Sequence, residues 1–153
     1  ALAQMVNVIQ SVLLTEGAQM IKTPTYHVMH MYRYHQDADL LESSLSGVKQ
    51  IGVGEWTVPC VTESVSADGN GAITITLCNL SAASAEEVEI SFVKGGYSVS
   101  EASVVTHCDI HAHNTFDDPK AVQEKSYTDY HTKERGLVIT LPAASVVLIR
   151  LKP

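Results

Sequence analysis

The stretch AITITL, residues 72–77, decides the fold class, because its apolar and polar residues alternate with a period of two. Successive side chains of a β-strand point to opposite faces, so Ile73, Ile75 and Leu77 would share one face and the two threonines the other. The pattern predicts a strand with one apolar face.

The same alternation recurs from about residue 55 to the C-terminus. In VEISF, residues 88–92, the first, third and fifth side chains are predicted to point inward, with Glu89 and Ser91 outward. Further candidate strands are LVITL at 137–141, SVVLIRL at 145–151 and, more weakly, WTVPCVTESV at 56–65 and YSVSEASVV at 97–105. Pro59 indicates an edge or a bulge. Six or more short strands without intervening helices predict a mainly β fold, an antiparallel β-sandwich.

The first forty residues follow a different pattern. Apolar residues recur there with helical spacing, at Leu2, Met5, Val6, Ile9, Val12 and Leu13. A helix is therefore predicted at the start of the chain. The residues TEG at 15–17 interrupt the spacing, and AQMIK at 18–22 predicts a short strand.

A second helix is predicted to begin at Thr23 and Pro24. A threonine hydroxyl can cap the helix, and proline suits the first helical position, where its missing N–H costs nothing. The predicted apolar face consists of Thr25, Val28, Met29 and Tyr32. The helix is predicted to end near Asp37.

Bulk composition excludes several classes of partner. The chain has 153 residues, 45% of them hydrophobic and 18% charged, which fits one globular domain or a small domain with an extra piece. A formal net charge of −7 gives no global attraction to nucleic acid or anionic lipid. The apolar runs are too short to span a bilayer, so neither nucleic acid nor membrane is an expected partner.

Two groups of histidines suggest a metal site. His27 and His30 stand three residues apart on the predicted helix, and a second group comprises His107, Asp109, His111 and His113. A zinc helix usually has i, i+4 spacing or an adjacent glutamate, as in H-E-x-x-H, and neither is present. Capping and surface histidines are the favoured interpretation, and no metal or other cofactor is expected.

The three cysteines, Cys60, Cys78 and Cys108, form no CxxC pair, which excludes a zinc ribbon. Three buried free thiols are favoured over a disulfide, although one disulfide stays open. No G-x-S-x-G elbow and no phosphate-binding glycine loop occurs.

Carboxylates and aromatic residues give only weak signals of a sugar site. The acidic residues near aromatic residues, Glu55, Asp117 and Asp118, are interpreted as solvated turn acids or caps. The aromatic residues that could stack on a sugar are Trp56, Tyr97 and Phe116. Core packing is the favoured role for each of them.

One long segment lacks periodicity. Residues 107–136 have no regular alternation, and loops of this length in compact domains are usually functional or packed against another element.

Three blocks and the C-terminal stretch together resemble a known enzyme family. They are LAQMVNVIQSVLLTEG (2–17), MIKTPTYHVMHMYRYHQDA (20–38), HNTFDDPKAV (113–122) and LVITLPAASVVLIRL (137–151). In this order they resemble successive landmarks in the C-terminal part of family 51 α-L-arabinofuranosidases. The resemblance extends across nearly the whole chain.

This resemblance implies a (β/α)8 barrel followed by a jelly-roll β-sandwich. Residues 1–38 would be the C-terminal remnant of the catalytic barrel, with its last strand end and final helix, and residues 39–153 the sandwich. The family's enzymes are retaining glycosidases that remove terminal α-L-arabinofuranosyl groups from arabinan and arabinoxylan, and they are commonly homo-oligomers. Arabinose-containing glycans and further copies of the chain are therefore the implied partners.

The resemblance also implies that the catalytic pair lies outside this chain. Retaining hydrolysis needs two carboxyl groups about 5 Å apart, and the family carries them in an Asn-Glu and an Asp-Glu-Trp-like motif. The chain contains neither pair, and GEW with Glu55 lies beyond the implied barrel. The chain alone is expected to be inactive. A non-catalytic carbohydrate-binding module is the alternative.

Three further roles follow from the resemblance. Gln4, in AQMVN, would help to hold arabinose at the catalytic subsite of the parent enzyme. Asn114 and Asp117, in the HNTFDDP loop, would hold backbone groups. The isolated chain is expected to expose apolar helix faces and to self-associate.

Overall fold

The N-terminal segment is not helical. A computed structural model describes residues 4–153, in which residues 4–12 form bends and turns and the first regular element is strand β1, Leu13–Glu16. Asn7 and Gln10 have left-handed backbone angles, with φ of 55° and 60°. Such angles interrupt a helix. The predicted first helix is therefore wrong from Gln4 onward, and Leu2 lies outside the described residues.

Asn7 explains why this segment folds back. Its side-chain amide donates to the hydroxyl of Thr15 at 2.9 Å and its carbonyl oxygen accepts from the Thr15 N–H at 2.7 Å. The predicted strand at 18–22 is confirmed as β2, Gln19–Lys22, which pairs antiparallel with β1. Gly17, with φ of 56°, allows the tight connection between them.

Helix α1, Pro24–Tyr32, begins as predicted. The Thr23 hydroxyl accepts from the Tyr26 N–H at 3.4 Å and donates to the Ser11 carbonyl at 2.7 Å, so the cap also ties the helix to the segment before β1. One turn of 3₁₀ helix, Arg33–His35, continues it. Asp37 follows with φ of 55° and ends the helical path near the predicted position.

The buried face of α1 differs from the prediction. Met31 is fully buried and packs with Val105, Val122 and Leu148, whereas Met29 is 48% exposed. Val28, as predicted, packs against this cluster. Apolar residues occur on more than one side of this helix, so spacing alone could not identify the side that meets the sheet.

Eleven further strands follow in chain order. They are β3 Asp39–Leu40, β4 Gln50–Val53, β5 Trp56–Pro59, β6 Val61–Ala67, β7 Ile73–Asn79, β8 Glu86–Ser91, β9 Ser98–Thr106, β10 Lys125–Ser126, β11 Tyr130–Lys133, β12 Gly136–Leu141 and β13 Ser145–Lys152. The predicted strands at 72–77, 88–92, 97–105, 137–141 and 145–151 are confirmed. The candidate at 56–65 is two strands separated at Cys60, with Pro59 at the end of a two-stranded sheet.

Two antiparallel sheets enclose the main core. The larger has the order β10-β9-β13-β7-β6-β3 and the smaller the order β11-β12-β8. Ile75, Leu77 and Ile149 of the larger sheet contact Leu137 and Ile139 of the smaller one, and all five are buried. The mainly β, antiparallel sandwich is therefore confirmed.

Both faces of the larger sheet are buried. Thr74 and Thr76, on the side away from the core, are as inaccessible as Ile75, because α1 and its 3₁₀ turn cover that side. A layer of helix therefore lies on the outer face of the sandwich. None of the helices in the described residues is long and apolar enough to cross a membrane.

The buried amide of Asn79 connects the two sheets. It donates to the carbonyls of Ser84, Leu141 and Pro142 at 2.9, 3.2 and 2.9 Å, and accepts from the Ser81 N–H at 3.0 Å. The short link at 142–144 leads the chain from β12 in one sheet to β13 in the other. Asn79 thus supplies hydrogen bonds to backbone groups at this crossing.

Candidate functional site

The helical layer is held on the sheet by polar side chains, and His35 is one of them. Its Nδ1 lies 2.8 Å from the Ser66 hydroxyl and its Nε2 lies 2.7 Å from the Thr76 hydroxyl. Burial lowers the pKa of His35 below its ordinary value. Since both ring nitrogens are engaged, His35 is a structural link between the 3₁₀ turn and strands β6 and β7.

His30 makes a second link, to the segment before β10. Its Nδ1 lies 2.8 Å from Glu124 Oε2, and the Ser103 hydroxyl donates to Glu124 Oε1 at 2.7 Å. Burial raises the pKa of Glu124, but the hydrogen bonds from Ser103 and His30 outweigh burial and hold the pKa below its ordinary value. The carboxylate is therefore ionised and serves as an anchor for α1.

Arg33 competes for the same histidine nitrogen. Its Nη1 is also 2.8 Å from His30 Nδ1, yet arginine can only donate, and Nδ1 cannot donate to Glu124 while accepting from Arg33. The same Nη1 lies 2.5 Å from the His30 carbonyl oxygen, which can accept this hydrogen bond whichever ring nitrogen of His30 carries the proton. We therefore assign the Nδ1 proton to the bond with Glu124 and the Arg33 bond to the carbonyl.

Tyr34 forms a third link. Its ring lies between two guanidinium groups, 4.0 Å from that of Arg33 and 4.1 Å from that of Arg150, and its hydroxyl donates to Glu101 at 2.7 Å. Arg150 also bonds Asp68 at 2.6 Å. Stacking of a cation on each ring face, together with the ion pair, connects the end of the helix to strands β9 and β13.

These anchors border a surface groove between α1 and the β9–β10 edge. The groove is lined by Lys22, Tyr26, His27, His30, Arg33, Glu101, Ala102, Ser103, Glu124, Lys125 and Ser126. Its two acidic side chains, Glu101 and Glu124, are the ones that bond Tyr34 and His30. Both carboxylates are therefore engaged in holding the helical layer on the sheet. The groove therefore follows the line along which α1 is attached to the larger sheet.

The long segment after β9 is held by Asn114. Its buried side-chain amide donates to the carbonyls of Lys22 and Val122 at 2.7 and 2.8 Å and accepts from the Val122 N–H at 2.7 Å. The predicted backbone role of Asn114 is confirmed. The same role for Asp117 is wrong: within residues 4–153 its carboxylate makes no hydrogen bond to the backbone, whereas that of the neighbouring Asp118 accepts from the Lys120 N–H at 3.4 Å.

The histidines of this segment stay on the surface. His107 accepts from the Asp109 N–H at 3.0 Å, and His111 lies 3.2 Å from the Asp109 carboxylate. Within the part of the chain that the structure describes, no three His, Cys, Asp or Glu side chains come together in a way that could hold a metal ion. Local turn contacts account for this group.

Comparison with known proteins identifies the family. The family model of the alpha-L-arabinofuranosidase C-terminal domain matches residues 1–145. This chain belongs to that family. An intracellular exo-alpha-L-arabinofuranosidase of Bacteroides ovatus is 32% identical over 151 residues, which are 99% of this chain and 29% of the relative.

Solved structures agree with this assignment to the arabinofuranosidase C-terminal domain family. The GH51 arabinofuranosidase from Xanthomonas axonopodis pv. citri matches with a TM-score of 0.91 and 33% identity, over 98% of this chain and 30% of that chain. A family 51 alpha-L-arabinofuranosidase from Bifidobacterium longum matches with a TM-score of 0.87 at 20% identity over 98% of this chain and 30% of that chain, which supports the fold alone. The chain thus spans less than a third of the relatives it matches.

The candidate residues of this arabinofuranosidase C-terminal domain lie on three different segments of the chain. Gln4 is exposed in the irregular segment before β1, and Glu55 is exposed in the turn between β4 and β5. Asp117 and Asp118 are also exposed, as predicted for turn acids. The structure does not gather these residues into one site.

Two sequence predictions about side-chain environment are wrong in part. The three cysteines are free, as expected, but only Cys60 is buried, while Cys78 is half-buried and Cys108 exposed. Trp56 is 85% exposed, so its predicted core role is wrong. Tyr97 is half-buried and packs against Phe92, with 5.8 Å between the two ring centroids.

The anchoring residues Glu101, Glu124 and Arg150 were not predicted. Each lies on a strand or loop distant in sequence from α1, and an isolated charge carries no pairing information. The sequence does carry one indication of these contacts, the alternation of aromatic and basic residues in YRYH, 32–35. Such residues at a helix end can stack on neighbouring rings or guanidinium groups and also form hydrogen bonds.

Proposed function

We propose that this chain is the C-terminal part of a retaining α-L-arabinofuranosidase that acts on terminal α-L-arabinofuranosyl groups of arabinan- and arabinoxylan-type glycans. In that enzyme it supports the barrel and the oligomer and supplies no catalytic carboxylate. The observation that carries the proposal is the family match over residues 1–145, by a chain that spans 29% of its relative.

Two features of the residues support a non-catalytic role. The chain contains no Asn-Glu and no Asp-Glu pair, the motifs in which the family places its two glutamates. The acidic residues of the groove along α1, Glu101 and Glu124, are engaged with Tyr34 and His30. A glutamate that holds a helix in this way is a poor nucleophile, because its partners already stabilise its charge.

We also propose that residues 1–38 end the catalytic barrel and residues 39–153 form the sandwich. The contacts of His30, Tyr34 and His35 with the larger sheet support this division of the chain. They attach the last barrel helix to the sandwich, so that the sandwich would brace the barrel through α1. Asn114 adds a backbone contact at Lys22, just before the helix.

Gln4 is the proposed substrate contact within this chain. It lies exposed in the segment before β1, where an upstream barrel strand would end. The carboxyl end of a barrel strand is where TIM-barrel enzymes place their active-site residues. In the parent enzyme the Gln4 amide would hydrogen-bond the arabinose ring at the catalytic subsite.

A chimera tests the supporting role of the chain and the substrate contact of Gln4. The matching C-terminal region of the Bacteroides ovatus relative is replaced by this chain, and hydrolysis of a chromogenic α-L-arabinofuranoside is measured. We expect an active chimera in which Gln4→Ala lowers kcat/KM by about tenfold or more, a loss of at least ~1.4 kcal/mol of transition-state stabilisation. The matched control is Gln19→Ala, an exposed glutamine of β2, which should leave kcat/KM unchanged. A folded but inactive chimera would count against the supporting role.

Self-association of the isolated chain is a further expectation. Exposed apolar side chains occur on and near the N-terminal elements, at Met5, Ile9, Met20 and Met29. We propose that the upstream barrel or neighbouring subunits cover them in the parent, since such groups gather in water when left uncovered. Light scattering over a concentration series should show oligomers, and a strict monomer at high concentration would refute this expectation.

A further inference from the structure

The tip of the hairpin formed by β4 and β5 presents exposed apolar side chains. Val53 pairs with Trp56 and Ile51 pairs with Val58, so all four side chains lie on one face of the hairpin. Trp56 and Val53, at the tip, are 85% and 84% exposed, and Val58 is half-exposed. At the base, Ile51 packs against the main core.

The hairpin is built to hold this tip in place. A Cβ on Gly52 would lie 1.9 Å from the Trp56 carbonyl oxygen, so only glycine permits the close pairing of the strands. The base is secured by the Cys60 N–H, which donates to the Lys49 carbonyl at 2.7 Å, and by the Lys49–Glu86 ion pair at 2.9 Å. Trp56 is therefore an exposed side chain on an ordered support, as a binding platform requires.

We propose that Trp56 is a stacking platform for an arabinose-containing oligosaccharide. A sugar ring has an apolar C–H face that matches the indole. Its rim of hydroxyls can donate hydrogen bonds to a carboxylate, and Glu55, the exposed turn residue that precedes Trp56, carries one. The choice of arabinose as the sugar rests on the proposed function. No residue of this hairpin lines the groove along α1.

The size and charge of the surface favour a glycan over a second copy of the chain. An aromatic side chain offers about 150–250 Å² of contact area. Even with both valines, the tip therefore falls well below the roughly 800 Å² per partner that a stable protein interface buries. A neutral arabinan oligosaccharide also meets no electrostatic repulsion from a chain with a formal net charge of −7.

The experiment uses the fluorescence of Trp56, which is the sole tryptophan of the chain. The 153-residue protein is titrated with linear arabino-oligosaccharides at constant protein concentration. We expect a saturable blue shift of the emission, because stacking removes the indole from water. Calorimetry of the same titration gives the affinity independently.

Two variants separate the platform from other apolar surface. Trp56→Ala should weaken the calorimetric affinity by about tenfold or more, while Val93→Ala, which removes an equally exposed apolar side chain of another loop, should leave it unchanged. Circular dichroism verifies that both variants fold, as expected for exposed positions.

Three results would overturn the inference. They are the absence of any binding at millimolar oligosaccharide, binding that Trp56→Ala leaves intact, and a blue shift that depends on protein concentration without sugar, which would mean that a second copy covers Trp56. The chimera reports on the proposed function separately, because its activity does not depend on this hairpin.

Discussion

Replacing Asn114 with alanine should loosen the attachment of the N-terminal elements to the sandwich. The Asn114 side chain is 3% exposed and makes three hydrogen bonds, at 2.7, 2.8 and 2.7 Å, to Lys22 and Val122. All three go to backbone groups, and no strand satisfies them in its place. Asn114→Ala would therefore leave two carbonyls and one N–H without their partner.

The magnitude follows from this count. A typical intramolecular hydrogen bond contributes about 1 kcal/mol net, and a buried group left unsatisfied costs about 1–3 kcal/mol. Three bonds lost at a buried position give a decrease of about 3 kcal/mol in the free energy of unfolding. For a chain of this length that corresponds to a decrease in Tm of roughly 6–12 °C.

The assay is urea unfolding followed by circular dichroism, with Asp117→Ala as the matched control. Asp117 is exposed in the same loop and takes no part in the hydrogen bonds described, so its removal should change the free energy of unfolding by less than about 0.5 kcal/mol. Equal and small effects of the two variants would refute the idea that Asn114 holds this loop to β2.

Three other predictions follow from the helical layer and the thiols. Met31→Ala should destabilise the protein by about 2–5 kcal/mol and the exposed Met29→Ala by less than about 0.5, measured by the same urea unfolding; comparable losses would mean that α1 packs by another face. Burial lowers the pKa of His35 from its ordinary 6.5, so below about pH 6.5 the unfolded chain binds a proton that the folded chain excludes. The stability that His35 contributes should therefore be complete above pH 6.5 and fall as the pH decreases, by at most about 1.4 kcal/mol per pH unit. His35→Gln should reduce the dependence of the free energy of unfolding on pH, and an unchanged dependence would contradict the buried position of His35. A thiol reagent should modify the exposed Cys108 first and the buried Cys60 only on unfolding, as read by peptide mass spectrometry; the reverse order would be inconsistent with the fold.

Much of the sandwich could be predicted from the sequence. Alternation in stretches such as 72–77 reports directly on a sheet with one face against a core, because side-chain direction has a period of two. The alternation does not indicate which strands pair with one another. Nothing in residues 137–151 tells that β12 and β13 belong to different sheets, since the link of three residues would equally suit a hairpin.

The errors have identifiable physical causes. Apolar residues of the segment before β1 recur with helical spacing, yet the Asn7 side chain bonds Thr15 and turns the chain back, a contact that the spacing of apolar residues does not reveal. Trp56 is apolar and was expected in the core, but its pairing with Val53 places it at the tip of a hairpin. The polar links of α1 depend on Glu101 and Glu124, which only the fold brings near the helix.

The central claim is that this chain supports glycoside hydrolysis without performing it. The most direct measurement is the hydrolysis of a chromogenic α-L-arabinofuranoside by the purified 153-residue protein, beside a heat-killed sample. We predict equal rates, because the chain has neither of the two glutamate motifs. Saturable turnover by the folded protein, above that of the heat-killed control, would contradict the account.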